Sequence, residues 1–204
     1  MHVTKIKGNK FRIVFVVDLD HTLTGTNTTF EFLSILCRIR YFIFSKLLKL
    51  LFLLNVIFGQ DIYKLVLIFM CIRGRREEEL KLLARKYYES TVKRRPETCL
   101  NSRLLFFLRK IGPVPKILLT ASLDFIAVNF KELGFNAVIS SRSYYKDDKF
   151  YHFYDLYRRK SYVLRIILRY FDKVVVFDDN PEPEFYMFGD RITIIRVPAY
   201  GTKH

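Results

Sequence analysis

The sequence predicts an α/β protein: a parallel sheet with helices on both faces, interrupted once by an α-helical insert. Three observations predict this. The runs Ile13-Val14-Phe15-Val16-Val17, Ile117-Leu118-Leu119 and Val174-Val175-Val176-Phe177 are unbroken by polar residues, as in strands covered on both faces. Beyond Pro96 such runs alternate with helical stretches, which implies parallel pairing through right-handed crossovers. Between the first run and that alternation, residues 30–95 read as helix only.

The first strand, Ile13–Val17, ends abruptly in Asp18 and Asp20, followed by Thr22. Period-two alternation turns both carboxylates to one side of the extended chain and Leu19 toward the core. In open α/β sheets the site forms just beyond the carboxyl ends of the strands. Two carboxylates meeting there repel unless they share a cation or a proton. Such a pair suits the binding of a divalent metal and attack on an electrophile. Gly25 and Asn27 then loosen the backbone, and Thr28 or Thr29 is expected to cap a helix starting near Phe30.

In the insert, apolar residues crowd from Phe32 to Leu51, interrupted by Arg38, Arg40, Lys46 and Lys49. Further helices are expected over Asp61–Ile72 and, with acid in its first turn, Glu77–Tyr88. The segment Arg73-Gly74-Arg75-Arg76 supplies the turn between them. Fourteen Lys/Arg stand against six Asp/Glu over residues 31–95, a net of +8. That composition fits a small bundle packed on the main domain. It also fits an interfacial module with Lys/Arg at lipid headgroups and Phe/Leu below, for which Lys64 and the greasy stretch Leu50–Phe58 are candidates.

After Pro96 a helix is expected over Asn101–Lys110, then a strand, Lys116–Thr120, with a polar tip. Ser122 opens the next helix, running to Leu133, and Ala137–Ser140 forms a third strand. Residues 142–158 are aromatic and charged, with Lys146-Asp147-Asp148-Lys149 as a hairpin turn. A helix over Lys160–Tyr170 leads to the strand Lys173–Phe177, which ends in Asp178 and Asp179. Arg191–Val197 closes as the last strand. The expected division is a core of residues 1–27 and 96–204 with an inserted cap, 28–95.

Composition narrows the partners. With 204 residues, 50% hydrophobic and 27% charged, the chain suffices for one core with an insertion. A net charge of +15 and a pI near 9.8 favour anionic partners: phosphate esters, nucleic acid or an anionic membrane face. Cys37, Cys71 and Cys99 have no close-pair spacing and are read as reduced thiols in a cytoplasmic protein, with peripheral membrane contact through the cap as an option. The four histidines are scattered, so no histidine metal cluster is expected. The basic start is followed by too short an apolar run for a secretory signal. No stretch has the ~18 uncharged residues of a spanning helix.

Three strand tips of fitting type and order now stand together: Asp18/Asp20, Thr120 and Asp178/Asp179. The segments D-L-D-H-T, I-L-L-T-A-S and V-V-V-F-D-D-N-P-E, with Lys160 before the last of these, resemble the motifs of the haloacid dehalogenase-like (HAD) hydrolases. The position of the insert resembles the phosphoserine-phosphatase-like branch, with a helical cap after the first motif. The resemblance covers Phe11 to Val197 and implies a Rossmann-like core. It further implies a phosphatase in which Asp18 is the nucleophile and Asp20 the general acid and base. Mg²⁺ would be held by Asp18, the carbonyl of Asp20 and Asp178, and the phosphate oxygens by Thr120 and Lys160. One departure is visible: Phe177 stands where the branch has glycine, leaving Asp179 and Glu182 as alternatives for the supporting carboxylate.

The expected function is a Mg²⁺-dependent phosphomonoester hydrolase acting on a small phosphorylated metabolite or a lipid-linked phosphate. The competing expectation is a catalytically idle binding module on an anionic membrane surface or nucleic acid. Nucleic acid is the weaker partner. The stretch from Ser143 to Lys160 carries Tyr144, Tyr145, Tyr151, Tyr154 and Tyr157, which could stack bases, but no nucleic-acid-binding signature accompanies them.

Overall fold

The protein is described by a computed structural model over residues 12–37 and 62–199. Leu50–Phe58 and the basic residues Arg38, Arg40, Lys46 and Lys49 therefore lie outside the described residues.

Strand β1 (Ile13–Val17) is central. It pairs in parallel with β2 (Lys116–Leu123) on one side and β5 (Lys173–Asp178) on the other. β3 (Ala137–Lys146) extends the sheet beyond β2, and β6 (Ile192–Arg196) extends it beyond β5. β4 (Lys149–Tyr154) closes one edge as the antiparallel arm of a hairpin, giving the order β4-β3-β2-β1-β5-β6. The tips of β2, β1 and β5 are thus neighbours, as the polar endings of the three runs imply.

Alternation sorts side chains between two layers. Val14, Val16, Ile117, Leu119, Val174 and Val176 face one layer, where helix α7 (Lys160–Ile167) packs through Val163, Leu164 and Ile167. Val17, Leu118 and Phe177 face the other. There they meet helix α1 (residues 28–37), α2 (Ile62–Ile72), α3 (Glu77–Tyr87) and α5 (Ser102–Lys110). Val14 and Val17 are wholly buried, and each such side chain contributes about 1.5–3 kcal/mol. Leu67, Ile68, Leu80 and Ala84 from the insert belong to the same cluster as the strands, so the described part of the insert is one layer of the core. Lys64, counted among the membrane-facing basic residues, is instead buried at 5% exposure. Among the described residues no helix is long and apolar enough to cross a membrane.

Helix α3 continues into a π-helical stretch, Tyr88–Lys93, before the short α4 (Pro96–Cys99). The return at 99–101 clasps the loop after β1: Gly25 N–H donates to Cys99 O at 3.1 Å and Asn101 N–H to Leu23 O at 2.8 Å.

Several expected boundaries shift: β3 runs on to Lys146, past Ser140, and α7 ends at Ile167, short of Tyr170. β2 runs on to Leu123 because the Thr120 hydroxyl accepts the Ser122 N–H at 3.0 Å, a local bond that competes with helix initiation. The helix then starts at Asp124, as one α turn (α6, Asp124–Ala127) continued by a 3₁₀ stretch, Val128–Leu133. Asn27, not a threonine, caps α1, accepting the Phe30 N–H at 3.1 Å. The hairpin turn falls on Asp147 and Asp148, both left-handed with φ 50° and 62°, which aspartate tolerates and the twist of a hairpin favours.

Candidate active site

The apex is built from the ends of three strands and the first turn of one helix. Asp18 continues β1, its N–H donating to Phe177 O at 2.9 Å. Its carboxylate meets Lys160 Nζ at 2.7 Å, and the same ammonium reaches Asp178 Oδ2 at 3.2 Å. Asp18, Asp178 and the Lys160 side chain are all nearly buried. Burial pushes the Asp18 carboxyl up from 3.8 to about 8; Lys160 opposes this, and the charges on Asp178 and Asp20 add to it. For Lys160 burial works downward, but Asp18 and Asp178 outweigh it and hold the ammonium well above its ordinary value.

Asp179 completes the acidic group. The Thr22 hydroxyl donates to Asp179 Oδ1 at 3.0 Å and accepts the Asp179 N–H at 2.8 Å. One oxygen each from Asp18, Asp178 and Asp179 lie within 4.8 Å of one another. Three carboxylate oxygens around one point form a hard donor set, which fits Mg²⁺. Asp178 is further fixed by the Asn180 N–H, which donates to Oδ1 at 2.9 Å.

Asp20 stands at the start of α1. Its Oδ1 accepts the Thr28 N–H and the Thr28 hydroxyl, each at 2.8 Å, and its Oδ2 accepts the Ser122 hydroxyl at 2.8 Å. The two hydroxyls are themselves 2.7 Å apart. Asp20, Thr28 and Ser122 thus form one hydrogen-bonded group that fixes the Asp20 carboxyl between α1 and the tip of β2.

Glu182 does not join the acids. Its two oxygens accept the N–H groups of Lys160 and Ser161, each at 3.0 Å. It therefore caps α7, whose N-cap residue Arg159 offers no side-chain bond, and sets the helix turn that carries Lys160. Of the two alternatives for a supporting carboxylate, Asp179 stands with Asp18 and Asp178, whereas both Glu182 oxygens are engaged by the helix N-terminus. Thr120 is fully buried and holds the end of β2 through Ser122; its own hydroxyl proton is not spent in that bond. Phe177, the departure in the last motif, turns away into the core, its ring 5.9 Å from Phe15 and 5.7 Å from Phe107.

Thr22, Thr28 and Ser122 escape a reading by motif roles alone. Thr22 and Ser122 lie inside the quoted motifs, and their spacing from the acids is the available signal. Lys64 carries no such signal. From the insert it donates to Ala121 O at 2.7 Å and pairs with Asp155 at 2.7 Å. The Ser141 hydroxyl bridges the same two groups at 2.7 and 3.0 Å. Helix α2 is thereby tied both to the tip of β2 and to the loop that leads to Lys160.

The sequence profile of the haloacid dehalogenase-like hydrolases matches residues 15–166. The chain belongs to this family. No curated protein matches the sequence significantly. Among solved structures, the chain is similar in fold to a protein of unknown function from Bordetella pertussis Tohama I. The TM-score is 0.65 at 16% identity, covering 84% of this chain and 83% of that one. It is also similar to phosphoserine phosphatase from T. onnurineus, with TM-score 0.57, 20% identity and coverage of 96% and 90%. A third is a cytosolic 5'-nucleotidase IIIB bound to cytidine, with TM-score 0.55, 15% identity and coverage of 92% and 73%. The six-stranded, mostly parallel sheet with helices on both faces is the family's α/β core.

Proposed function

We propose that this hydrolase cleaves phosphomonoesters through an aspartyl-phosphate on Asp18. The observation that carries the reading is the buried Asp18 carboxylate in contact with Lys160 and grouped with Asp178 and Asp179. The fold-level likeness to a phosphoserine phosphatase and a nucleotidase supports it.

Asp18 Oδ attacks phosphorus, and the bond from phosphorus to the ester oxygen breaks. Asp20 gives its proton to the departing oxygen, releasing the alcohol. Asp20, now a carboxylate, takes a proton from water as that water attacks phosphorus. The phosphorus–Asp18 bond breaks, phosphate leaves and both carboxyls return to their starting states. Lys160 balances charge gathering on the phosphoryl oxygens, and Thr120 donates its hydroxyl proton to one of them. Asp18, Asp178, Asp179 and the carbonyl of Asp20 would hold Mg²⁺. When bound, the cation offsets repulsion between an anionic nucleophile and an anionic ester.

The substrate class is a small phosphorylated metabolite or a lipid-linked phosphate. Phosphate release from a generic aryl phosphate tests the reaction: wild type should turn over only with Mg²⁺, and Asp18→Asn should be inactive. Equal rates in the two proteins would refute the proposal.

A further inference from the structure

The β3–β4 hairpin is buried on one face and exposed on the other. Phe150, Phe153 and Ser143 point inward, whereas Arg142, Tyr144, His152 and Tyr154 point out. A half-buried antiparallel ribbon normally carries small or charged polar residues outside. Here the outer face is aromatic and basic, with Tyr144 opposite His152 and Arg142 opposite Tyr154.

These rings are ordered as a file. Tyr144 and His152 stack at 6.3 Å and 23°, and His152 stacks on Phe69 of α2 at 6.4 Å and 29°. A guanidinium covers each end: Arg142 lies 5.4 Å from the Tyr144 ring and Arg73 lies 5.8 Å from the Phe69 ring. Arg159 repeats the arrangement over Tyr154 at 5.0 Å. Among the described residues, Arg73, Arg142 and Arg159 form no ion pair with an acid. Beside the file, Phe69, Arg73, Tyr151 and His152 line a cavity of about 440 Å³.

We propose that this face binds single-stranded nucleic acid, at a site sharing no residue with the Asp18 cluster. Bases stack on aromatic rings whatever their sequence, here by taking the place of the guanidinium that covers an end of the file, and the displaced guanidinium, lacking an acid partner, takes the neighbouring phosphate. The net charge of +15 favours the encounter. A bilayer is the poorer occupant, because Tyr144 and His152 carry polar edges and Phe69 is the one wholly apolar ring of the file to bury among acyl chains.

The test is fluorescence anisotropy with labelled oligothymidylate and oligouridylate at rising salt, with thermal melts confirming that each variant is folded. Wild type should bind both, with affinity falling linearly on a log–log salt plot. Tyr144→Ala and His152→Ala should each weaken binding about tenfold or more, while Tyr144→Phe, which keeps the ring, binds as wild type. Arg142→Gln should lower the salt slope by about 0.7. Arg169→Gln, an equal charge loss beyond the end of α7, should leave binding unchanged. Asp18→Asn should bind oligonucleotide fully, so loss of phosphatase activity and loss of this binding are separable. The proposal is overturned if wild type does not bind, if Tyr144→Ala binds normally, or if Arg169→Gln weakens binding as much as Arg142→Gln. It is equally overturned if anionic vesicles, and not oligonucleotides, are captured in a Tyr144-dependent way.

Discussion

Three carboxyls, Asp18, Asp178 and Asp179, share the apex with one ammonium, Lys160, so ionising Asp18 puts negative charge in excess where little water reaches. Asp18→Asn removes part of that repulsion. It should abolish phosphate release while raising the melting temperature in chelator, the trade expected where function stores instability. The pH dependence has a definite sign. With its folded carboxyl at about 8 against 3.8, Asp18 keeps a proton that the unfolded chain releases. Stability in chelator should therefore fall as pH rises from about 4 to about 8, and more steeply in wild type than in Asp18→Asn. Urea midpoints near pH 5 and near pH 8 measure this; a wild-type midpoint that rises over that interval would contradict it. Thr22→Val leaves the acids in place but removes the bond that aims Asp179. It should weaken Mg²⁺ about 10–100-fold, read as a higher metal concentration for half-maximal stabilisation.

At the scale of elements, two contacts outside the acid group position Lys160. Glu182 caps its helix, and Glu182→Ala should cost about 1 kcal/mol and lower kcat without raising the Mg²⁺ requirement. A raised requirement would return Glu182 to the metal. Lys64→Met strips the buried partner from Asp155 and the donor from Ala121; it should cost about 3 kcal/mol in urea denaturation. The strands are legible in the sequence because β1, β2 and β5 are apolar without interruption, and their polar tips announce the site. The end of β2 is not, because whether Ser122 opens a helix depends on where the Thr120 hydroxyl turns. Nor could spacing choose between Asp179 and Glu182: the choice rests on Thr22, 157 positions away from Asp179, and on the unfilled N-cap of α7. Lys64 is legible only as charge, since its burial requires Asp155, 91 positions away.

For the whole molecule, one buried cluster joins sheet residues such as Val17 to insert residues such as Ala84, so parting the described insert helices from the sheet would expose shared core. Calorimetry should show one transition, with equal calorimetric and van't Hoff enthalpies, and not a lid melting ahead of a core. The π-helical stretch Tyr88–Lys93 gives this unity a point of tolerance. A π turn is an α turn with a residue to spare, so a single-codon deletion there would let the backbone relax into ordinary α-helix at little cost in hydrogen bonds. The residue removed is the spare one, so everything after it keeps its phase. The Cys99 and Asn101 contacts that clasp the loop carrying Asp20 and Thr22 would stay in place. Such a frame-preserving deletion should give a protein with undiminished far-ultraviolet helicity and turnover, a reading-length error that costs neither the fold nor the enzyme.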